Sequence, residues 1–182
     1  MTGSDSCRKL GMIQEPRYLA ADFAVTNSYD LHGSWDADTK TLGSIVRGQA
    51  DIREIYNDTM PLWFDGLNPS KINFGLAYYG RGYTVTSPNC AYIGCSFAGP
   101  SKPGPCTNFD GVMSLREIEA LIEDKGIVPE YLAAPMMKQI TWDDQWIGYD
   151  DLETMANKKS WADKMCFGGT MIWSVDFMAT GR

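Results

Sequence analysis

The stretch "KINFGLAYYGRGY", Lys71 to Tyr83, ends in Tyr78, Tyr79, Arg81 and Tyr83 set around Gly80 and Gly82. Flat amphipathic rings suit the faces of sugars. A second stretch, "FAVTNSY" (Phe23 to Tyr29), turns from apolar to polar at its tip and breaks at Asp30 and Gly33. His32 is the only histidine in the 182 residues, and its place beside Asp30 invites an acid–base role. With no nucleophile near it, a packing and hydrogen-bonding role is the better reading. The net charge of -7 and the lack of any basic run argue against nucleic acid or an anionic membrane surface as partner, and a neutral ligand fits better. Six Trp and nine Tyr agree with such a ligand, although most of them belong to a core.

These residues need strands to present them. In the opening stretch Ile72, Phe74, Leu76 and Tyr78 alternate with Asn73, Gly75, Ala77 and Tyr79. One face is therefore bulky and covered by helices, while the other is small until Tyr79. The small face suits the inside of a parallel barrel, with Tyr79 and Arg81 delivered at the strand's carboxyl end. Between the two strands the pattern predicts a helix carrying Ile52, Ile55 and Tyr56. A second helix is expected to begin at Pro61, with Thr59 as cap and Gly66 as stop. From Thr84 to about Asp150 the texture changes. "MSLREIEALIEDKG" predicts a helix with Ser114 and Glu117 as a capping box and Gly126 at its end. "QITWDDQWIGYDD" predicts two antiparallel strands turning at Asp143-Asp144. A helix capped by Asp150 or Asp151 and a last buried strand, "GGTMIWSVDF", complete the chain.

Cys90, Cys95 and Cys106 share one Gly/Pro/Ser-rich stretch, where at least one disulfide is expected, as in secreted proteins. Their C-x4-C-x10-C spacing without a nearby His fits zinc poorly, so neither a metal nor a cofactor is expected. Five cysteines leave at least one thiol free or paired with another chain, with Cys7 and Cys166 the candidates. The first residues lack the apolar run of a signal peptide. No stretch approaches the roughly 20 apolar residues of a membrane span.

"NSYDLHGSW", "KINFGLAYYGRGY", "DDQWIGYDD" and "GGTMIWSVDF", in that order, resemble the chitinases of glycoside hydrolase family 18, and most of all the large secreted fungal ones of the killer-toxin-like type. The resemblance covers about Ala24 to Asp176. It implies an α/β fold: strands six to eight of a TIM (β/α)8 barrel with an α+β chitinase insertion domain after the seventh strand. Residues 1–22 stay unassigned, 23–83 hold strands six and seven, 84–150 the insertion domain, and 151–182 the last helix and strand eight. It further implies hydrolysis of β-1,4-linked N-acetylglucosamine polymers, with the substrate's own acetamido oxygen as nucleophile.

By the same resemblance Tyr29 and Asp30 support catalysis, the tyrosine by hydrogen-bonding the acetamido carbonyl and the aspartate by orienting the sugar. Tyr79 and Arg81 bind sugar hydroxyls, Trp173 floors the subsite of the reacting sugar, and Trp35 and Trp142 are rim candidates. Gly80 and Gly82 are expected to let the saccharide approach the backbone. The family's Asp-x-x-Asp-x-Asp-x-Glu run, which carries the general acid, is not found in this sequence. The expectation is therefore the carboxyl-terminal part of an extracellular chitinase, inactive alone, with chitin or chitooligosaccharide and a missing amino-terminal barrel half as partners. A non-catalytic chitin-binding protein is the alternative, and a degenerate product without carbohydrate function a third reading.

Overall fold

The computed structural model describes residues 24–26 and 28–178; the expectations for residues 1–22 and for Cys7 lie outside them. Three strands, β1 (Ala24–Thr26), β2 (Ile72–Ala77) and β9 (Gly169–Trp173), form a parallel sheet in the order β1-β2-β9. Thr26 lies opposite Phe74 and Ala77 opposite Trp173, so the three carboxyl ends share one edge. Alternation in β2 does what the sequence implies. Ile72, Phe74 and Leu76 are fully buried beneath helices α1 (Ile52–Phe64) and α3 (Leu152–Lys164), with Phe74 5.7 Å from Trp161 and 6.1 Å from Phe167.

α1 is one helix where the sequence suggests two. Asp51 caps it by accepting from Arg53 N, and Pro61 sits inside it. Thr59 is an interior residue whose hydroxyl donates to the Ile55 and Tyr56 carbonyls. A proline forfeits a backbone hydrogen bond, but Ile52 and Ile55 before it and Leu62 and Trp63 after it pack against the same core and hold the helix together across it. Gly66 ends the helix as expected: it adopts φ 75°, and Leu67 N donates back to Leu62 O at 3.0 Å.

The second sheet is antiparallel. It contains β3 (Tyr79–Val85), β4 (Phe97–Pro100), β5 (Val112–Ser114), β6 (Glu130–Leu132), β7 (Met137–Trp142) and β8 (Gln145–Tyr149), ordered β4-β3-β8-β7-β6 with β5 also paired to β3. The change of texture expected at residue 84 thus falls inside β3, because the opening stretch is two strands and not one. Tyr78 is the joint: its N–H donates to Trp173 O in the first sheet, and its carbonyl accepts from Leu115 N beside the second.

Gly80 and Gly82 are required by the packing of this sheet. A Cβ on Gly80 would lie 2.5 Å from Ile147 Cγ2, and one on Gly82 2.6 Å from the Trp146 carbonyl. Side chains there would collide with the core, which sets the need for glycine.

Helix α2 (Leu115–Lys125) has the Ser114/Glu117 capping box, and Gly126 closes it at φ 63°. The β7–β8 hairpin turns at Asp143-Asp144. Asp151, not Asp150, caps α3. Asp150 instead pairs with Lys158, whose ammonium is 1% exposed and also donates to Ala50 O. The expected staple is the Cys90–Cys95 disulfide. Among the described residues Cys106 is a free, exposed thiol, whereas Cys166, one of the two candidates for a thiol free or paired with another chain, is disulfide-bonded.

Candidate functional site

Asp30 follows the end of β1 in a left-handed conformation (φ 59°), which aspartate tolerates better than most residues. Its carboxylate is the hub of the site. Oδ1 accepts from the Tyr79 hydroxyl at 2.7 Å and from Arg81 Nε at 2.8 Å, and Oδ2 accepts from Arg81 Nη2 at 2.8 Å. This is the fork geometry in which arginine holds a carboxylate most firmly. The Arg81 guanidinium also lies 4.7 Å above the Trp35 ring and 5.6 Å from that of Tyr79. Trp35 reaches it from the 3-10 helix Ser34–Asp38 because Gly33 has no side chain: a Cβ there would lie 2.2 Å from the indole.

Tyr29 meets Tyr79 edge-on at 6.1 Å, and Phe177 also meets Tyr79 edge-on at the same distance. Tyr29, Tyr79, Ala77, Ala50 and Val112 form a small buried cluster beneath the polar groups. The small face of β2 is therefore filled by rings from neighbouring segments. Burial first, and then the Asp30 charge, raise the Tyr29 hydroxyl above its ordinary value. Burial and the Asp30 hydrogen bond push Tyr79 far higher still. Burial alone would lower Arg81, but its bond to Asp30 outweighs that and raises it. At neutral pH both tyrosines are O–H donors and Arg81 is a cation.

Trp173 ends β9 beside Ala77, at the same carboxyl edge, and presents an indole 57% exposed. Tyr29, Asp30, Tyr79, Arg81, Trp35 and Trp173 are thus brought to one edge of the parallel sheet. Trp142 is not among them. It lies at the turn end of the β7–β8 hairpin, opposite Gln145, and is partly buried against the core between the sheets.

Sequence reasoning did not single out Gln49 or Phe177. Gln49 is fully buried, donates from Nε2 to Tyr79 O at 2.8 Å and accepts from Leu31 N at 3.0 Å, so it ties the Asp30 segment to β3. The one signal for it was an amide just before the Asp51 cap.

The family model described as "Glycosyl hydrolases family 18" matches residues 13–177. The chain belongs to this family. It is 31% identical over 164 residues to an endochitinase of Brugia malayi, covering 86% of this chain and 32% of that protein. It is 29% identical over 162 residues to human chitinase-3-like protein 2, covering 85% and 41%. A plant class V chitinase from Cycas revoluta, solved in complex with (GlcNAc)3, superposes with a TM-score of 0.72 at 25% identity, covering 86% of this chain and 42% of that one. Human YKL-39, described as a pseudo-chitinase with retained chitooligosaccharide binding properties, superposes with a TM-score of 0.72 at 29% identity, covering 86% and 44%. The family 18 chain spans less than half the length of each of these relatives.

Proposed function

We propose that this chain supplies the sugar-orienting side of a family 18 chitinase cleft and binds chitooligosaccharide there. The observation that carries the reading is the Asp30 carboxylate, held by the Tyr79 hydroxyl and the Arg81 fork at the carboxyl edge of a parallel sheet, the edge at which the exposed Trp173 also ends its strand. A preorganised anion, neutral tyrosine donors and an open indole suit a neutral, hydroxyl-rich ligand with a flat face.

In substrate-assisted hydrolysis the acetamido oxygen attacks its own anomeric carbon. Tyr29 donates to the acetamido carbonyl, Asp30 orients the group, Arg81 and Tyr79 hold hydroxyls, Trp35 backs the Arg81 cation, and Trp173 floors the reacting sugar. The parallel sheet is read as strands six to eight of a (β/α)8 barrel and the antiparallel sheet as the insertion domain, with an amino-terminal barrel half as the complementary partner. The finer assignment, to the secreted, killer-toxin-like fungal type, rests on the wording of the four motifs, and the Cys90–Cys95 staple supports an extracellular setting. A positioned general acid contributes roughly 10²–10⁴ in rate, and the acid motif is not in this sequence. The chain alone is therefore expected to bind without turnover.

Titration with chitotetraose, followed by tryptophan fluorescence, tests the binding and should saturate for the wild type and not for Trp173→Ala. A fluorogenic chitooligosaccharide should be hydrolysed only when the amino-terminal part of a related chitinase is added. A chain that binds no oligosaccharide overturns the sugar site, and turnover by the chain alone that disappears in Asp30→Ala overturns the missing acid.

A further inference from the structure

The segment from Asp30 to Asp36 touches Arg81 at two points, through the Asp30 carboxylate and through the Trp35 ring. What holds its middle is His32, a buried ring whose two nitrogens both meet carboxylates: Nδ1 is 2.7 Å from Asp36 Oδ2, and Nε2 is 2.9 Å from Glu54 Oε2 on α1. Ionised carboxylates only accept, so both ring nitrogens must donate, and only the imidazolium has two N–H groups. We propose that His32 is a positioning residue for the Asp30–Arg81 site, acting as a cation that clamps the Asp30–Asp36 segment onto the first turn of α1. The proposal concerns how the segment is held; its consequence for oligosaccharide rests on the function proposed above.

The surroundings agree. Asp36 is 1% exposed, and its Oδ1 has no hydrogen-bond partner among the described residues. The other charged or titratable groups around the pair are Arg47, whose Nη1 lies 3.5 Å from Asp36 Oδ2, and Tyr83, whose hydroxyl is raised first by burial and then by the Asp36 charge. With Arg47 at that distance, a neutral His32 leaves a buried carboxylate poorly compensated. Burial by itself favours the neutral ring, but the hydrogen bonds and charges of Glu54 and Asp36 outweigh it and raise His32 above its ordinary value of 6.5. When the ring loses its proton, the Glu54 end is the one released. Glu54 is 41% exposed and finds water, whereas Asp36 does not. The clamp therefore holds while the ring keeps its second proton and opens as pH rises through the raised value, freeing Trp35 and Asp30 to drift from Arg81.

Because His32 is the only histidine, imidazole NMR reads it without ambiguity. The ring should titrate with a midpoint above 6.5, moving back toward 6.5 in Glu54→Gln, and the Arg81 Nε–H resonance should shift with the same midpoint in the wild type. Chitotetraose should bind more weakly above that midpoint, by no more than about a hundredfold, the upper worth of one charge-assisted hydrogen bond. A midpoint at or below 6.5, or an Arg81 resonance that stays flat while His32 titrates, overturns the proposal. Both resonances are read without ligand, so a chain that fails to bind oligosaccharide counts against the proposed function alone.

Discussion

Glu117 closes the capping box of α2 and also anchors the loop before it. Its Oε1 accepts from Cys106 N at 2.6 Å and Thr107 N at 2.8 Å, and its Oε2 accepts from Ser114 N at 2.9 Å, Ser114 Oγ at 2.6 Å and the Thr107 hydroxyl. Gly104 makes room for the carboxylate, since a Cβ there would lie 2.5 Å from Oε1. Burial alone would raise this carboxyl, but the Ser114 and Thr107 hydrogen bonds outweigh it and bring it from 4.5 down to about 2. Each unit of such a shift is worth about 1.4 kcal/mol, so the ionised form contributes about 3 kcal/mol to folding. The folded value is depressed. The contribution is therefore fully present above about pH 4.5 and is lost as pH falls from there to about 2.

Glu117→Gln keeps the shape and removes the charge. Urea unfolding followed by tryptophan fluorescence should place the variant about 3 kcal/mol below the wild type at pH 6.5, and the two curves should converge as pH approaches 2. An offset that is the same at every pH would mean that shape, not charge, is at stake, and superimposable curves would mean that the hydrogen bonds contribute nothing. Either result refutes the reasoning.

Arg81→Lys replaces a planar fork with a point charge and forfeits one of the two bonds to Asp30, so chitotetraose binding should weaken by about tenfold, read by fluorescence titration. Lys158→Met strands the buried Asp150 carboxylate and should cost about 3–5 kcal/mol in urea unfolding, most of it recovered when Asp150→Leu is added. Replacing Cys90 and Cys95 together by serine opens a short loop and should cost about 2 kcal/mol in urea unfolding under non-reducing conditions.

The α2 capping box, the Gly66 and Gly126 stops, the Asp143-Asp144 turn and the buried face of β2 were all legible in the amino-acid order. Each depends on groups a few residues apart, where backbone geometry alone decides which atoms meet. Tyr29, Asp30, Tyr79 and Arg81 were legible as strand-end residues for a related reason, since a parallel sheet brings its carboxyl ends to one edge whatever lies between, whereas Trp173 was reached only through the family resemblance.

The remaining features needed partners distant in the chain. Whether "KINFGLAYYGRGY" is one strand or two turned on Trp173 and Leu115 claiming the backbone of Tyr78. Pro61 stays inside a helix because residues on both sides of it, Ile55 and Leu62 among them, pack against one core. Gly80 and Gly82 were set by Ile147 and Trp146, and the place of Trp142 by a core shared between two sheets. Gln49 with Tyr79, and His32 with Glu54, join segments 30 and 22 residues apart. No local pattern records such meetings, because the energy that selects them is that of burying polar groups together and appears only once the sheets have packed.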